Sequence, residues 1–148
     1  MKTLKNKNIL LCITGSIAAY KSCEILRELR KNGVNVQVMM SKTAEKFIGR
    51  ATMAALSNNT VITDLFDNDS TKNIQHVKLS FEIDAIVIAP ATANIICKAS
   101  KGIADDTIST TLSISDVPVL FAPAMNFRMW QKTATIQAVD KLRNQGKI

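Results

Sequence analysis

Ile9-Leu10-Leu11-Cys12-Ile13-Thr14-Gly15-Ser16 is an unbroken apolar run that ends in a short polar turn. An apolar run without alternation is typical of a strand inside a parallel sheet, because both faces of such a strand are covered. Residues 17–32 follow with apolar positions on one helical face, and Gly33 supplies a helix stop. This stretch therefore predicts the first strand, turn and helix of an α/β protein.

The same alternation continues along the chain. Buried strands are predicted at 34–40, 84–89 and 117–122, with a weaker strand at 61–66. Helices are predicted at 41–48, 51–57, 95–100, 104–114 and 133–145, with a short one around His76. Strands separated by helices predict a parallel sheet with helices on both faces, a three-layer α/β sandwich of Rossmann-like or flavodoxin-like type. A chain of 148 residues is expected to form one domain.

The composition indicates which ligands, metal content and cellular location to expect. The formal net charge of +7 favours anionic ligands, but the basic residues form no stripe interleaved with aromatics, so no nucleic-acid partner is expected. Three widely spaced cysteines and one histidine predict a reduced, metal-free protein. The lysines that precede the apolar residues 9–19 give the N-terminus the pattern of a secretory signal peptide. The polar turn interrupts that apolar run, however, so we expect a cytoplasmic protein without a membrane segment.

The first candidate site lies where the first two strands end. Gly15, Ser16 and Ile17 open the first helix, where unpaired N–H groups and the helix dipole favour an anion such as phosphate. Ser41 and Thr43 follow the second strand and could direct hydroxyl groups at the same ligand. Glycine and serine also occur in ordinary tight turns, so this turn alone leaves both interpretations open.

The second candidate is Pro90-Ala91-Thr92-Ala93-Asn94, which follows the strand at 84–89. Its small residues would let a planar ligand lie against the backbone, while Thr92 and Asn94 offer hydrogen bonds.

The third candidate is Pro123-Ala124-Met125-Asn126-Phe127-Arg128-Met129-Trp130. In open α/β sheets, ligands bind at the carboxyl ends of strands, so Asn126 is a polar group in an otherwise apolar binding wall. The alternative is a strand-exit loop with core Met and Trp. His76 is the only histidine, and its ordinary pKa suits proton transfer, although a lone histidine is more often structural than catalytic.

These motifs resemble those of the flavin-dependent cysteine decarboxylases. Residues 123–130 resemble the PxMNxxMW motif, residues 90–94 resemble PA(S/T)AN, and Gly102-Ile103-Ala104-Asp105-Asp106 is also similar to the family's sequence. The resemblance extends from about residue 7 to residue 146. It implies flavin mononucleotide (FMN) as the cofactor, with Gly15, Ser16, Ile17, Ser41 and Thr43 at its phosphate and Pro90, Ala91, Thr92, Ala93 and Asn94 at its ring.

The resemblance also implies catalytic roles. Asn126 would hold the substrate carboxylate, with Met125 and Met129 beside it in the substrate pocket, and His76 would transfer a proton. The implied reaction oxidises a cysteine thiol to a thioaldehyde, releases CO2 and reduces the resulting ene-thiol. The implied substrate is 4'-phosphopantothenoylcysteine, which becomes 4'-phosphopantetheine during coenzyme A synthesis. Alternatives are a peptidyl-cysteine decarboxylase of lantibiotic type, a prenyl-FMN synthase, and a non-catalytic flavin-binding regulatory subunit.

The implied partners are copies of the same chain, as a trimer or a dodecamer of trimers, and a phosphopantothenate-cysteine ligase domain or protein. The coenzyme A branch of the family has a substrate clamp with a reactive cysteine downstream of the last helix predicted here. We therefore expect residues 1–148 to be a flavoprotein domain truncated before that clamp. Cys97 is expected to be a packed apolar residue and not a substitute for the clamp cysteine.

Overall fold

Four parallel strands form the sheet in the part of the chain that the structure describes. The computed structural model describes residues 4–64 and 82–147. In those residues the strands are β1 (Asn8–Ile13), β2 (Asn35–Met40), β3 (Ala85–Ala91) and β4 (Val119–Pro123). The helices are α1 (Lys21–Lys31), α2 (Arg50–Ser57), α3 (Ala93–Lys101), α4 (Thr107–Ile114), α5 (Phe127–Trp130) and α6 (Thr133–Asn144), with 3-10 turns at Ile17–Tyr20 and Ala44–Lys46.

The sheet has the strand order β2-β1-β3-β4, and every pairing is parallel. The chain passes from β1 to one neighbour, β2, and later returns to the other side of β1 to form β3. The order therefore reverses between β1 and β3, and a crevice at the carboxyl ends of these strands is the usual ligand site of such sheets. This arrangement confirms the predicted α/β fold class.

Both faces of the sheet are covered by helices. Leu10 and Cys12 of β1 pack with residues of α3, α4 and α6, whereas Leu11 and Ile13 pack with residues of α1 and α2. Leu10 and Leu11 are each 0% exposed, as expected for neighbouring residues that point to opposite buried faces. The absence of polar alternation in β1 follows from this three-layer packing.

Several predicted elements differ in extent. Residues 41–48 do not form a continuous helix, because the Ser41 hydroxyl accepts from the Ala44 N–H at 3.1 Å and the segment closes as a short turn. The weak strand at 61–66 is reduced to one parallel bridge between Ile62 and Met39 in the part that the structure describes. The predicted helix around His76 lies outside the described residues.

The strands β3 and β4 end later in the chain than predicted. Pro90 and Ala91 belong to β3 and not to a loop, and Pro123 ends β4 opposite Ala91. Proline is tolerated there because the register shifts between Ile88 and Ala91, and Ala124 supplies the N–H that bonds to the Ala91 carbonyl. Across residues 4–64 and 82–147, no helix has the length and apolar character needed to cross a membrane.

Candidate functional site

The Thr14 side chain joins the carboxyl ends of β1 and β3, which are called the exits of these strands. Its hydroxyl donates to the Pro90 carbonyl at 2.6 Å and accepts from the Thr92 N–H at 3.1 Å. Thr14 is only 4% exposed, so both bonds lie in a nearly dry environment where an unpaired hydroxyl would be costly. The pair of bonds fixes the two strand ends between which the sheet order reverses.

The exits of β1 and β2 approach each other even more closely. A Cβ placed on Gly15 would lie 2.5 Å from Thr43 Oγ1 and 2.6 Å from Thr43 Cβ, so only glycine fits there without a shift. Thr43 Oγ1 is also 3.1 Å from Ser41 Oγ. Two hydroxyl groups are thereby gathered next to the turn after β1.

These strand exits open into a cleft of about 710 Å³, which is within the size range of small-molecule sites. Its walls come from both the strand exits and the first turns of α3 and α4. The lining residues are Thr14, Gly15, Met40, Ser41, Lys42, Thr43, Thr63, Asp64, Thr92, Asn94, Ile95, Lys98, Asp105, Asp106, Thr107, Ile108 and Met129.

A charged cluster forms one part of the cleft wall. The Lys98 ammonium lies 2.7 Å from Asp105 Oδ1 and 2.7 Å from Asp106 Oδ2. Asp106 also caps α4, because its Oδ1 accepts from the Ser109 N–H at 2.8 Å. Partial burial works to raise the pKa of Asp106, but the bonds from Lys98 and Ser109 outweigh it and hold that pKa below its usual value. Burial likewise works to lower the pKa of Lys98, and its two carboxylate partners raise it overall.

The depressed pKa of Asp106 predicts a change in acid stability. Its stabilising effect is present above the unfolded pKa of about 3.9 and is lost as pH falls through the lower folded value. Asp106→Asn keeps the helix cap but not the charge, so it should lower the unfolding free energy at neutral pH and have little effect in acid. The side chain is 39% exposed, and solvent screening limits the expected difference to about 1 kcal/mol or less.

Urea unfolding of wild type and Asp106→Asn between about pH 3 and pH 7 measures this effect. Asp116→Asn is the matched control, since Asp116 is exposed and forms no ion pair with another residue in the described segments. A difference between wild type and Asp106→Asn that is the same at every pH would contradict the assignment.

Asn126 stands at the start of α5, near the cleft but not among its lining residues. Its Oδ1 accepts from the Arg128 N–H at 2.8 Å, which fixes the orientation of the side-chain amide. Within residues 4–64 and 82–147 its Nδ2 group has no acceptor, so two N–H donors remain available on an exposed side chain. Met129, one turn later in α5, lines the cleft, while Met125 packs against the core.

The structure brings together five of the predicted cofactor residues, namely Gly15, Ser41, Thr43, Thr92 and Asn94, all of which line the cleft. Ser16 and Ile17 lie beside it in the turn before α1, where Ser16 accepts from the Ala18 N–H. Pro90, Ala91 and Ala93 are buried in β3 and at the start of α3. His76 lies outside the described residues.

Cysteines do not contribute to the cleft lining. Cys12 is buried in the core, and this burial, with a smaller effect of Asp106, raises the pKa of its thiol. Cys97 packs against the core, as expected for an apolar role.

The site residues predicted from the sequence do not include Thr14, Lys98 or the helix-capping carboxylate of Asp106. Lys98 is four residues after Asn94 and therefore shares its helical face, which could have suggested a place in the same site. Asp106 begins an Asp-x-x-Ser pattern before an apolar segment, a recognisable helix start. No comparable signal links Thr14 to Pro90.

A parallel α/β sheet with a polar cleft at its switch point is the architecture of many nucleotide and flavin proteins. The Flavoprotein family model matches residues 1–148. The chain therefore belongs to the Flavoprotein family.

Curated relatives include the coenzyme A biosynthesis bifunctional protein CoaBC of Bacillus subtilis, 41% identical over 143 residues, which make up 97% of this chain and 35% of the relative. The CoaBC of Mycolicibacterium smegmatis is 42% identical over 142 residues, covering 96% and 34%. The chain thus spans about a third of the length of these curated relatives.

Solved structures of similar fold include the FMN-dependent cysteine decarboxylase SpaF, with a TM-score of 0.89 and 33% identity over 97% of this chain and 83% of SpaF. A PPC decarboxylase variant in complex with pantothenoylaminoethenethiol has a TM-score of 0.81 and 25% identity, over 97% of this chain and 80% of that chain.

Proposed function

We propose that this chain is an FMN-dependent decarboxylase domain whose substrate is 4'-phosphopantothenoylcysteine and whose product is 4'-phosphopantetheine. The observation that carries the proposal is the Asn126 amide, held by the Arg128 N–H with its two Nδ2 donors available, on the same short helix as the cleft residue Met129. Such a donor pair suits a carboxylate, which is the group that a decarboxylase must hold.

The residues of the cleft suit FMN. The hydroxyl groups of Ser41 and Thr43 lie together beside Gly15, as a phosphate site requires. In the described segments the N–H groups of Gly15 and Ile17 have no acceptor, so they can donate to the same anion. Thr92, Asn94 and Met129 would lie along the ring. When bound, FMN supplies the oxidation and reduction that the decarboxylation requires.

The remaining residues would bind and orient the substrate. Asn126 would hold the carboxylate that is lost, and Met125 and Met129 would exclude water around it. His76 is proposed as the proton-transferring residue on the strength of the sequence motif alone.

The choice of substrate and partners rests on the relatives. Two proteins about 40% identical are named for coenzyme A biosynthesis, and the bifunctional name supports a phosphopantothenate-cysteine ligase domain or partner. A cytoplasmic location is proposed with that role. A homo-oligomer is proposed because large apolar side chains beside the site are exposed, including Ile17 at 77% and Phe127 at 68%. A peptidyl-cysteine substrate is the second candidate, because the lantibiotic branch of the resembled family shares Asn126 and the PxMNxxMW motif.

Three measurements on the purified protein test these proposals. We expect a yellow protein with a flavin absorption spectrum, CO2 release from 4'-phosphopantothenoylcysteine, and an oligomeric mass by light scattering. Faster CO2 release from a peptide ending in cysteine would favour the second candidate. A colourless protein that does not take up added FMN would disprove the function. Flavin binding without CO2 release, even after the clamp residues of the resembled family are added, would leave only a flavin-binding role.

A further inference from the structure

Lys98, Asp105 and Asp106 form a second polar group on the cleft wall that the proposed reaction does not use. In Asp106 both carboxylate oxygens are engaged, one by the Ser109 N–H at 2.8 Å and the other by the Lys98 ammonium at 2.7 Å. Asp106 is therefore occupied in holding α4 and Lys98 in place.

Asp105, unlike Asp106, keeps one carboxylate oxygen without a partner in the described residues. Its Oδ1 lies 2.7 Å from Lys98 Nζ and 3.3 Å from Ser109 Oγ, and its own N–H donates to Ser109 Oγ at 3.1 Å. Its Oδ2 has no partner in residues 4–64 and 82–147, and the side chain is 57% exposed at the cleft. Asp105 thus offers the cleft one carboxylate oxygen, while two contacts on Oδ1 and one on its backbone N–H hold the residue in place.

The charges that line the cleft indicate which chemical groups Asp105 Oδ2 can bind. Three carboxylates (Asp64, Asp105 and Asp106) and two ammonium groups (Lys42 and Lys98) line the cleft. Near Asp105 and Asp106 a phosphate would meet two negative charges and a lysine that they already neutralise, so an anion is disfavoured there. A neutral N–H donor is favoured, because a carboxylate is a strong acceptor for it.

We propose that Asp105 recognises the imide edge of the flavin ring by accepting a hydrogen bond from the ring N3–H. This inference rests on the proposed FMN binding and adds to it a residue that distinguishes an isoalloxazine from rings without a donor at that edge. Lys98 is a positioning residue, since it binds Asp105 through Oδ1 and leaves Oδ2 available to a ligand in the cleft.

The test compares the dissociation constants of FMN and N3-methyl-FMN, which lacks the N–H, by flavin fluorescence titration. Wild type should prefer FMN by about tenfold or more, the usual worth of a hydrogen bond to a charged group. In Asp105→Ala, and in Asp105→Ser as a second variant, this preference should fall to about onefold to twofold. Asp116→Ala, which removes an exposed carboxylate outside the cleft, should keep the wild-type preference.

The same titration also tests the positioning role of Lys98. Lys98→Met should reduce the preference for FMN although Asp105 is still present, and Lys98→Arg should restore it. An unchanged preference in Lys98→Met would overturn the positioning role. Equal binding of both flavins by wild type, or a wild-type preference in Asp105→Ala, would overturn the role of Asp105 and leave FMN binding intact. Failure of wild type to bind FMN would overturn the proposed function, and this inference with it.

Discussion

Asn126→Asp is expected to abolish decarboxylation while FMN binding stays close to wild type. The new carboxylate can still accept from the Arg128 N–H, because aspartate caps helices as well as asparagine does, so α5 should remain folded. The two Nδ2 donors, however, are replaced by a negative oxygen that faces the substrate carboxylate. Juxtaposed like charges cost several kcal/mol, which corresponds to a loss of at least roughly a hundredfold in kcat/KM.

CO2 release and flavin titration on the same preparation measure the two parts of this prediction. Gln131→Glu is the matched control, since it makes the same amide-to-carboxylate change on an exposed residue at the other end of α5. It should retain most of the activity. Asn126→Ser, which keeps a capping oxygen without adding charge, should lie between the two. Retained turnover in Asn126→Asp would show that this amide does not hold the carboxylate.

The sequence predicts those parts of the fold and site that depend on local pattern. The unbroken apolar run of β1 predicts its burial on both faces, and the polar residues after β1, β2 and β3 predict a common site, since the carboxyl ends of parallel strands share one edge. Gly15, Ser41 and Thr92 do line one cleft.

The parts that depend on packing between distant residues could not be predicted in this way. The bond from Thr14 to Pro90 joins positions 76 apart, and neither residue type indicates the other. The contact of Lys98 with Asp105 and Asp106 requires the loop after α3 to turn back on that helix, which follows from how α3 and α4 pack on the sheet. Proline seldom continues a strand, so the sequence predicts a loop from Pro90, whereas the local register shift accommodates Pro90 in β3.

Gly15→Ala is expected to reduce both stability and FMN binding. The added Cβ would overlap Thr43 Oγ1 and Cβ, at 2.5 and 2.6 Å, and would lie 3.2 Å from the Thr43 carbonyl carbon. Because Cβ and the carbonyl carbon are not flexible side-chain ends, the exits of β1 and β2 must move apart. Overpacking of this kind costs about 1–3 kcal/mol of unfolding free energy. The same movement displaces the Ser41 and Thr43 hydroxyl groups, so FMN affinity should fall by about tenfold or more.

Urea unfolding and flavin titration separate these two effects, and the chain offers matched variants for both. Gly49→Ala should leave FMN affinity unchanged and cost less stability than Gly15→Ala. The nearest atom to its added Cβ is Thr52 Oγ1 at 3.7 Å, an ordinary contact, and the expected cost is that alanine is a poorer N-cap of α2 than glycine. Adding Thr43→Gly to Gly15→Ala removes the overlapping Cβ and Oγ1, so part of the lost stability should return. FMN affinity should stay low in that double variant because the Thr43 hydroxyl is gone. Wild-type stability together with wild-type FMN affinity in Gly15→Ala would contradict the close approach of the two strand exits as the basis of the phosphate site.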